Sequence, residues 1–141
     1  MLRVVADTNQ FVSGLINDHG PSASLLRAWR QHKFVLIISD DIIEEVRRVL
    51  NYPRIARKYK LEDAHIDSFL SLLEHEAVIL RHLPKLKVIK EDPDDDKFLS
   101  CAVQGKADYI ISGDSHLLEL KSYQKIPIIT VSNFMQLLHK L

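Results

Sequence analysis

Apolar positions along this chain fall into two patterns. Short unbroken runs occur at Leu2 to Ala6 and Phe34 to Ile38, and again as Tyr109-Ile110-Ile111 within Asp108 to Ser112. Unbroken runs of this length read as strands buried on both faces, and hence as parallel strands. Between them, apolar residues recur at helical spacing. From Asn9 the pattern turns helical, with Phe11, Val12, Leu15 and Ile16 in step, until Gly20-Pro21 punctuates it. Ser22 to His32 predicts a second helix, with Leu25, Leu26 and Trp29 on one face. Ser39-Asp40-Asp41 predicts the cap of a helix over Ile42 to Leu50, stopped by Asn51-Tyr52-Pro53. Residues 54 to 75 are helical in pattern, in two pieces. Glu76 to Leu80 predicts a short strand, and Leu86 to Ile89 reads as either another strand or loop. Lys97 to Gln104 and Ser115 to Leu120 predict helices, and Ile126 to Val131 a last strand, with Pro127 near its start or at an edge. Ser132 is the expected cap of a final helix, Asn133 to His139. Strands alternating with helices predict a three-layer α/β/α sandwich around a central, mostly parallel sheet, in one domain over residues 1–141.

The same pattern decides where the acids go. Asp7 follows the first strand and Asp114 follows the Tyr109 strand, so in a parallel sheet both lie at its carboxyl edge, where ligands bind. On Ile42 to Leu50, at about 100° per residue, the apolar face is Ile42, Ile43, Val46, Val49 and Leu50. Glu44 points away from that face and is solvated. Glu45 sits on its border and can reach over the sheet edge. Glu91-Asp92-Pro93-Asp94-Asp95-Asp96 places five acids in six residues. If the next helix begins near Asp94, Asp95 stands in line with Leu99 and Ala102 and points inward, while Asp96 is on the flank and Asp94 faces out. Asp92 precedes a proline and is extended. The plain alternative for Asp95 is an N-cap or first-turn acid favoured by the helix dipole. An inward carboxylate is expensive unless paired or metal-bound, and four converging carboxylates repel one another. A divalent cation relieves this, and all-oxygen ligands suit Mg²⁺ or Mn²⁺ rather than zinc.

Charge and composition narrow the function classes. With 19 Lys+Arg against 19 Asp+Glu the formal net charge is zero, so any cationic docking surface must be local. One cysteine, Cys101, excludes an internal disulfide and favours a reducing, cytoplasmic setting. No apolar run approaches the ~18 residues of a membrane helix, and the first residues enter a strand without a signal-peptide pattern. The span Val46 to Leu61 carries Arg47, Arg48, Arg54, Arg57, Lys58 and Lys60 with no acid, and Ala77 to Lys90 carries Arg81, Lys85, Lys87 and Lys90 with none. Both could dock RNA phosphates, with Tyr52 and Tyr59 available to stack on bases. Ordinary solvated surface is the plain alternative for each segment, and core or rim packing for the two tyrosines.

Asp7-Thr8-Asn9, then Ser39 followed by Glu45-Val46 and Val49-Leu50, then Asp92-Pro93-Asp94-Asp95-Asp96 with Leu99 and Ala102, then Ala107-Asp108-Tyr109 and Ser112-Gly113-Asp114, form an ordered set. In that order they resemble a PIN domain, in particular the VapC-like toxin components of prokaryotic toxin–antitoxin pairs. The resemblance implies a metal-dependent ribonuclease with catalytic acids at Asp7, Glu45, Asp95 and Asp114. Asp7, Asp95 and Asp114 would hold Mg²⁺ or Mn²⁺, with Glu45 a further ligand or an orienting group for the nucleophile. Thr8, Asn9 and Ser112 fall where the family has polar helpers, and Asp92 and Asp96 flank the third acid in supporting positions. Thr8 and Asn9 have the alternative of capping the helix that follows. The resemblance also implies a homodimer and a cognate antitoxin. Gln10 departs from the apolar residue usual there, which bears on packing more than on chemistry.

Other signals lose on inspection. A calcium loop starting at Asp92 needs Gly at its sixth position and Glu at its twelfth; Lys97 and Val103 stand there. His75-Glu76 lacks the second His of a zinc-protease helix. The seven histidines show no ligand spacing. Cys101 lies in a helix with no evident base. An aspartyl-phosphate phosphatase wants a second Asp at position 9, where Asn9 stands. A non-catalytic PIN-fold module that binds RNA or protein is the rival from a different class.

Overall fold

The computed structural model describes residues 1–84 and 95–141. The expected strand or loop at Leu86 to Ile89, the acids Asp92 and Asp94, and the cations Lys85, Lys87 and Lys90 lie outside the described residues. Among the described residues, β1 (Arg3–Ala6), β2 (Val35–Ser39), β3 (Val78–Leu80), β4 (Tyr109–Ile111), β5 (Ser122–Tyr123) and β6 (Ile126–Ile129) form a six-stranded sheet of order β3-β2-β1-β4-β6-β5. β1 lies inside the sheet. It pairs parallel with β2 on one side and with β4 on the other, and Ala6 stands opposite Ile111. β3 extends the parallel sheet beyond β2, and β6 extends it beyond β4. The interiors of β1, β2 and β4 are buried, as continuous apolar runs require when both faces of a sheet are covered.

Helices cover the sheet, giving the α/β sandwich that the alternating pattern predicts. α1 (Thr8–Ile16) packs against α2 (Pro21–Arg30) and α3 (Asp40–Leu50), and α6 (Asp96–Gln104) lies on β1, β2 and β4. Gly14 lets α1 approach α2, because a Cβ there would stand 2.4 Å from Leu26 Cδ1. α4 (Pro53–Ala56) and α5 (Asp63–Glu76) are the two helical pieces expected after Pro53. α7 (Ser115–Leu120) follows β4, and α8 (Val131–His139) closes the chain. On α8, Phe134 is fully buried, with its ring edge-on to Phe34 at 5.3 Å.

One expectation at the end of the chain is corrected, and one short strand was not expected. The last helix is capped by Thr130, whose Oγ1 accepts from Asn133 N–H at 3.2 Å, so Val131 is helical and Ser132 lies inside the helix. A two-residue strand, β5 (Ser122–Tyr123), pairs antiparallel with β6; it is too short to carry a periodic signal. Among the described residues no helix is long and apolar enough to cross a membrane.

Successive strands build outward from β1 to β2 to β3, and the chain then returns to place β4 on the other side of β1. The order therefore reverses between β1 and β4. In open α/β sheets, the crevice at the carboxyl ends of such a pair is where ligands bind.

Candidate active site

Asp7 and the Ser112-Gly113-Asp114 turn emerge side by side at that reversal point. The Asp7 N–H donates to Ile111 O at 3.0 Å, carrying the β1–β4 register one step past the strands. Asp7 then caps α1, its Oδ1 accepting from Gln10 N–H at 3.3 Å. Thr8 and Asn9 are thus the first residues of the helix rather than its cap. Ser112 Oγ donates to Asp7 Oδ2 at 2.5 Å and accepts from Asp114 N–H at 2.9 Å, so one hydroxyl ties the Asp7 carboxylate to the backbone of Asp114. Gly113 N–H adds a 3.3 Å bond to Asp7 Oδ2. Asp7 is only 4% exposed. Burial raises its pKa above the ordinary carboxylate value, and the hydrogen bonds from Ser112, Gly113 and Gln10 offset part of that rise.

Glu45 reaches this edge from α3. Ser39 starts that helix, its Oγ accepting from Ile42 N–H at 3.2 Å. Glu44 is exposed and pairs with Arg47 at 3.4 Å, while Glu45 is half-buried at the helix border. Thr8 Oγ1 donates to Glu45 Oε1, and Lys97 forms an ion pair with Glu45 Oε2. Arg48 stands 3.8 Å from the same oxygen. Glu45 and Lys97 are each 17% exposed, so solvent only partly screens their attraction. Sequence reasoning passed over Lys97, because its contact with Glu45 spans 52 positions of chain.

Asp95 and Asp96 enter from the start of α6, and both are buried. Asp95 occupies the cap position with helical backbone angles, and Asp96 is the first helical residue. At 4% exposure Asp96 is buried more deeply than its expected flank position implies. Asp95, Asp114 and His116 each offer a ligand atom, and the three atoms lie within 4.8 Å of one another. Among the described residues this is the group whose donors fit a divalent cation; Asp7 and Glu45 are not part of it. His116 joins this group although the histidines show no ligand spacing along the sequence. A spacing of two from Asp114 resembles no ligand motif, and its approach to Asp95 depends on the fold.

The remaining expected residues separate. Asn9 is exposed on the first turn of α1, between the buried Thr8 and Gln10. Gln10, expected to matter for packing alone, has its side chain hydrogen-bonded to Asp7 and its Oε1 accepting from Ser22 Oγ at 2.7 Å. Arg47 is engaged by Glu44 and by Glu74 at 3.3 Å. Arg54, Arg57, Lys58 and Lys60 are exposed beside the exposed Tyr52 and Tyr59. Cys101 is fully buried and its thiol pKa is pushed up to about 12 by burial, which leaves it inert at neutral pH.

A parallel sheet that reverses between β1 and β4 brings acids from four elements, Asp7, Glu45, Asp95 and Asp114, to its carboxyl edge, where α/β folds bind ligands. The chain belongs to the PIN domain family, whose sequence profile matches residues 3–116. It is 33% identical over 124 residues to the uncharacterized protein MJ1680 of Methanocaldococcus jannaschii, a match covering 88% of this chain and 78% of the relative.

Proposed function

We propose that this protein is a metal-dependent endoribonuclease that hydrolyses RNA phosphodiester bonds. In that reaction a water oxygen bonds to phosphorus as one P–O ester bond breaks, leaving a phosphomonoester on one fragment and a hydroxyl on the other. The observation that carries the reading is the meeting of Asp95 and Asp114 donors beside Asp7 at the sheet reversal, in a chain of the PIN family. Asp95, Asp114 and Asp7 would hold Mg²⁺ or Mn²⁺, with Glu45 at the margin. A divalent cation there lowers the pKa of water and offsets charge developing on the phosphate.

The chain's own groups do the rest. Ser112 holds the Asp7 carboxylate against the backbone of Asp114 through its two hydrogen bonds. Thr8 and Lys97 hold the Glu45 carboxylate, one on each oxygen, so it enters the reaction already oriented. Asp96 supports the head of α6. Arg54, Arg57 and Lys58, exposed after α3, meet the RNA backbone, and Arg47 and Arg48 add charge along α3. The protein works as the toxin of a toxin–antitoxin pair in the cytoplasm, as a homodimer held in check by a cognate antitoxin.

One observation favours a second reading, a PIN-fold module that binds RNA without cutting it: both oxygens of the Glu45 carboxylate are engaged within the protein, by Thr8 and by Lys97. Induced expression in a bacterial host separates the two. The nuclease reading expects growth arrest with RNA cut at discrete sites, and neither effect from Asp7→Asn. Arrest without cleavage, or equal arrest by Asp7→Asn, contradicts it.

A further inference from the structure

We propose that His116 is a direct metal ligand, and that it makes this site prefer a first-row transition-metal ion such as Mn²⁺ over Mg²⁺. The inference rests on the metal-dependent reading above and deepens it. Mg²⁺ demands near-ideal octahedral oxygen ligands and gives up its waters reluctantly, whereas first-row transition ions, Mn²⁺ the most oxygen-loving among them, accept an imidazole nitrogen beside carboxylates. Here the three donors that come together are two carboxylates and one imidazole.

The local geometry commits His116 to this place. Its backbone N–H donates to Asp114 Oδ1 at 2.9 Å, which pins the carboxylate to the turn that carries the imidazole. Its Nδ1 stands 3.9 Å from Asp114 Oδ1, too far for a hydrogen bond and close to the spacing of two ligands on one ion. Ligands at about 2.1 Å from a shared ion are about 3 Å apart, so a small side-chain rotation closes the gap. The ring is partly exposed, with 39% of the side chain accessible, so it is free to make that movement. Asp95 brings its oxygen from the cap of α6, a separate element, so that the three donor atoms lie within 4.8 Å of one another.

Mn²⁺ bound to the purified protein reports its own ligands. Electron spin-echo spectroscopy of the Mn²⁺ complex should show coupling to a directly bound ¹⁴N, absent in His116→Asn. Calorimetric titration should show Mn²⁺ bound at least about tenfold more tightly than Mg²⁺. In His116→Asn, Mn²⁺ affinity should fall roughly tenfold, with Mg²⁺ affinity changed less than about twofold. His116→Asp, an oxygen-only set, should narrow the gap by tightening Mg²⁺. Thermal melting of both variants without metal verifies that they are folded, as expected for a partly exposed side chain. Mn²⁺ bound without nitrogen coupling, or an unchanged Mn²⁺/Mg²⁺ ratio in His116→Asn, overturns the assignment and leaves the nuclease reading standing. Failure of the wild type to bind either ion overturns both.

Discussion

Asp7 sits where a charge is costly, buried at the mouth of the sheet, and its fold-raised pKa expresses that cost. A carboxyl whose folded pKa lies above its unfolded value near 3.8 adds stability below that value. The contribution is lost as pH rises through the folded pKa. At neutral pH the ionised Asp7 is therefore a liability in the metal-free protein. Asp7→Asn should raise the metal-free melting temperature at pH 7 by about 3 °C, for a gain on the order of 1 kcal/mol, and the gain should shrink as pH falls toward 4. Thermal melts across pH read this directly; a lower melting temperature for the variant at pH 7 counts against the buried-charge account. Helical periodicity was enough to choose Glu45 over Glu44, because a border position is a property of one helix. It was silent on Lys97, Gln10 and His116, whose partners lie on other elements.

Elements were legible where their signal is long or chemically marked. The runs that became β1, β2 and β4 are continuous and bounded, and Ser39 caps α3 as its sequence context predicts. β5 has two residues and no period to read, and both Thr130 and Ser132 are competent caps, so the choice between them belongs to the end of β6. How closely α1 and α2 approach was also hidden, since it depends on a missing side chain. Gly14→Val should place methyl groups inside Leu26, where a bare Cβ would already stand 2.4 Å from Cδ1, and against Ser22 O at 3.1 Å. The expected loss is about 2 kcal/mol, seen as a lower urea midpoint at unchanged slope. An unaltered midpoint would mean that α1 and α2 separate without penalty. Because Ser22 also bonds Gln10, the same variant disturbs the backing of Asp7.

For the whole molecule, a formal net charge of zero leaves RNA attraction to local patches. The exposed cations between α3 and α5 form such a patch, beside two exposed tyrosines. The double variant Arg54→Ala, Arg57→Ala should weaken RNA binding. It should also lower the slope of log affinity against log salt by about 1.4, at roughly 0.7 per phosphate contact on single strands. A slope equal to wild type would move the RNA path elsewhere. The fold class followed from alternating strands and helices, while the sheet order, and with it the crevice between β1 and β4, came from the three-dimensional arrangement. The central claim is that the acids gathered at this crevice cut RNA with a divalent cation. Its most direct test is cleavage of a single-stranded RNA by the purified protein, with Mn²⁺ and then with excess chelator. Wild type should cut only with the ion, and Asp114→Asn should lose roughly 100-fold or more in rate, since losing even a supporting partner of a metal ligand costs about 10–100-fold. Cleavage that survives the chelator, or that Asp114→Asn carries out at the wild-type rate, would contradict the account.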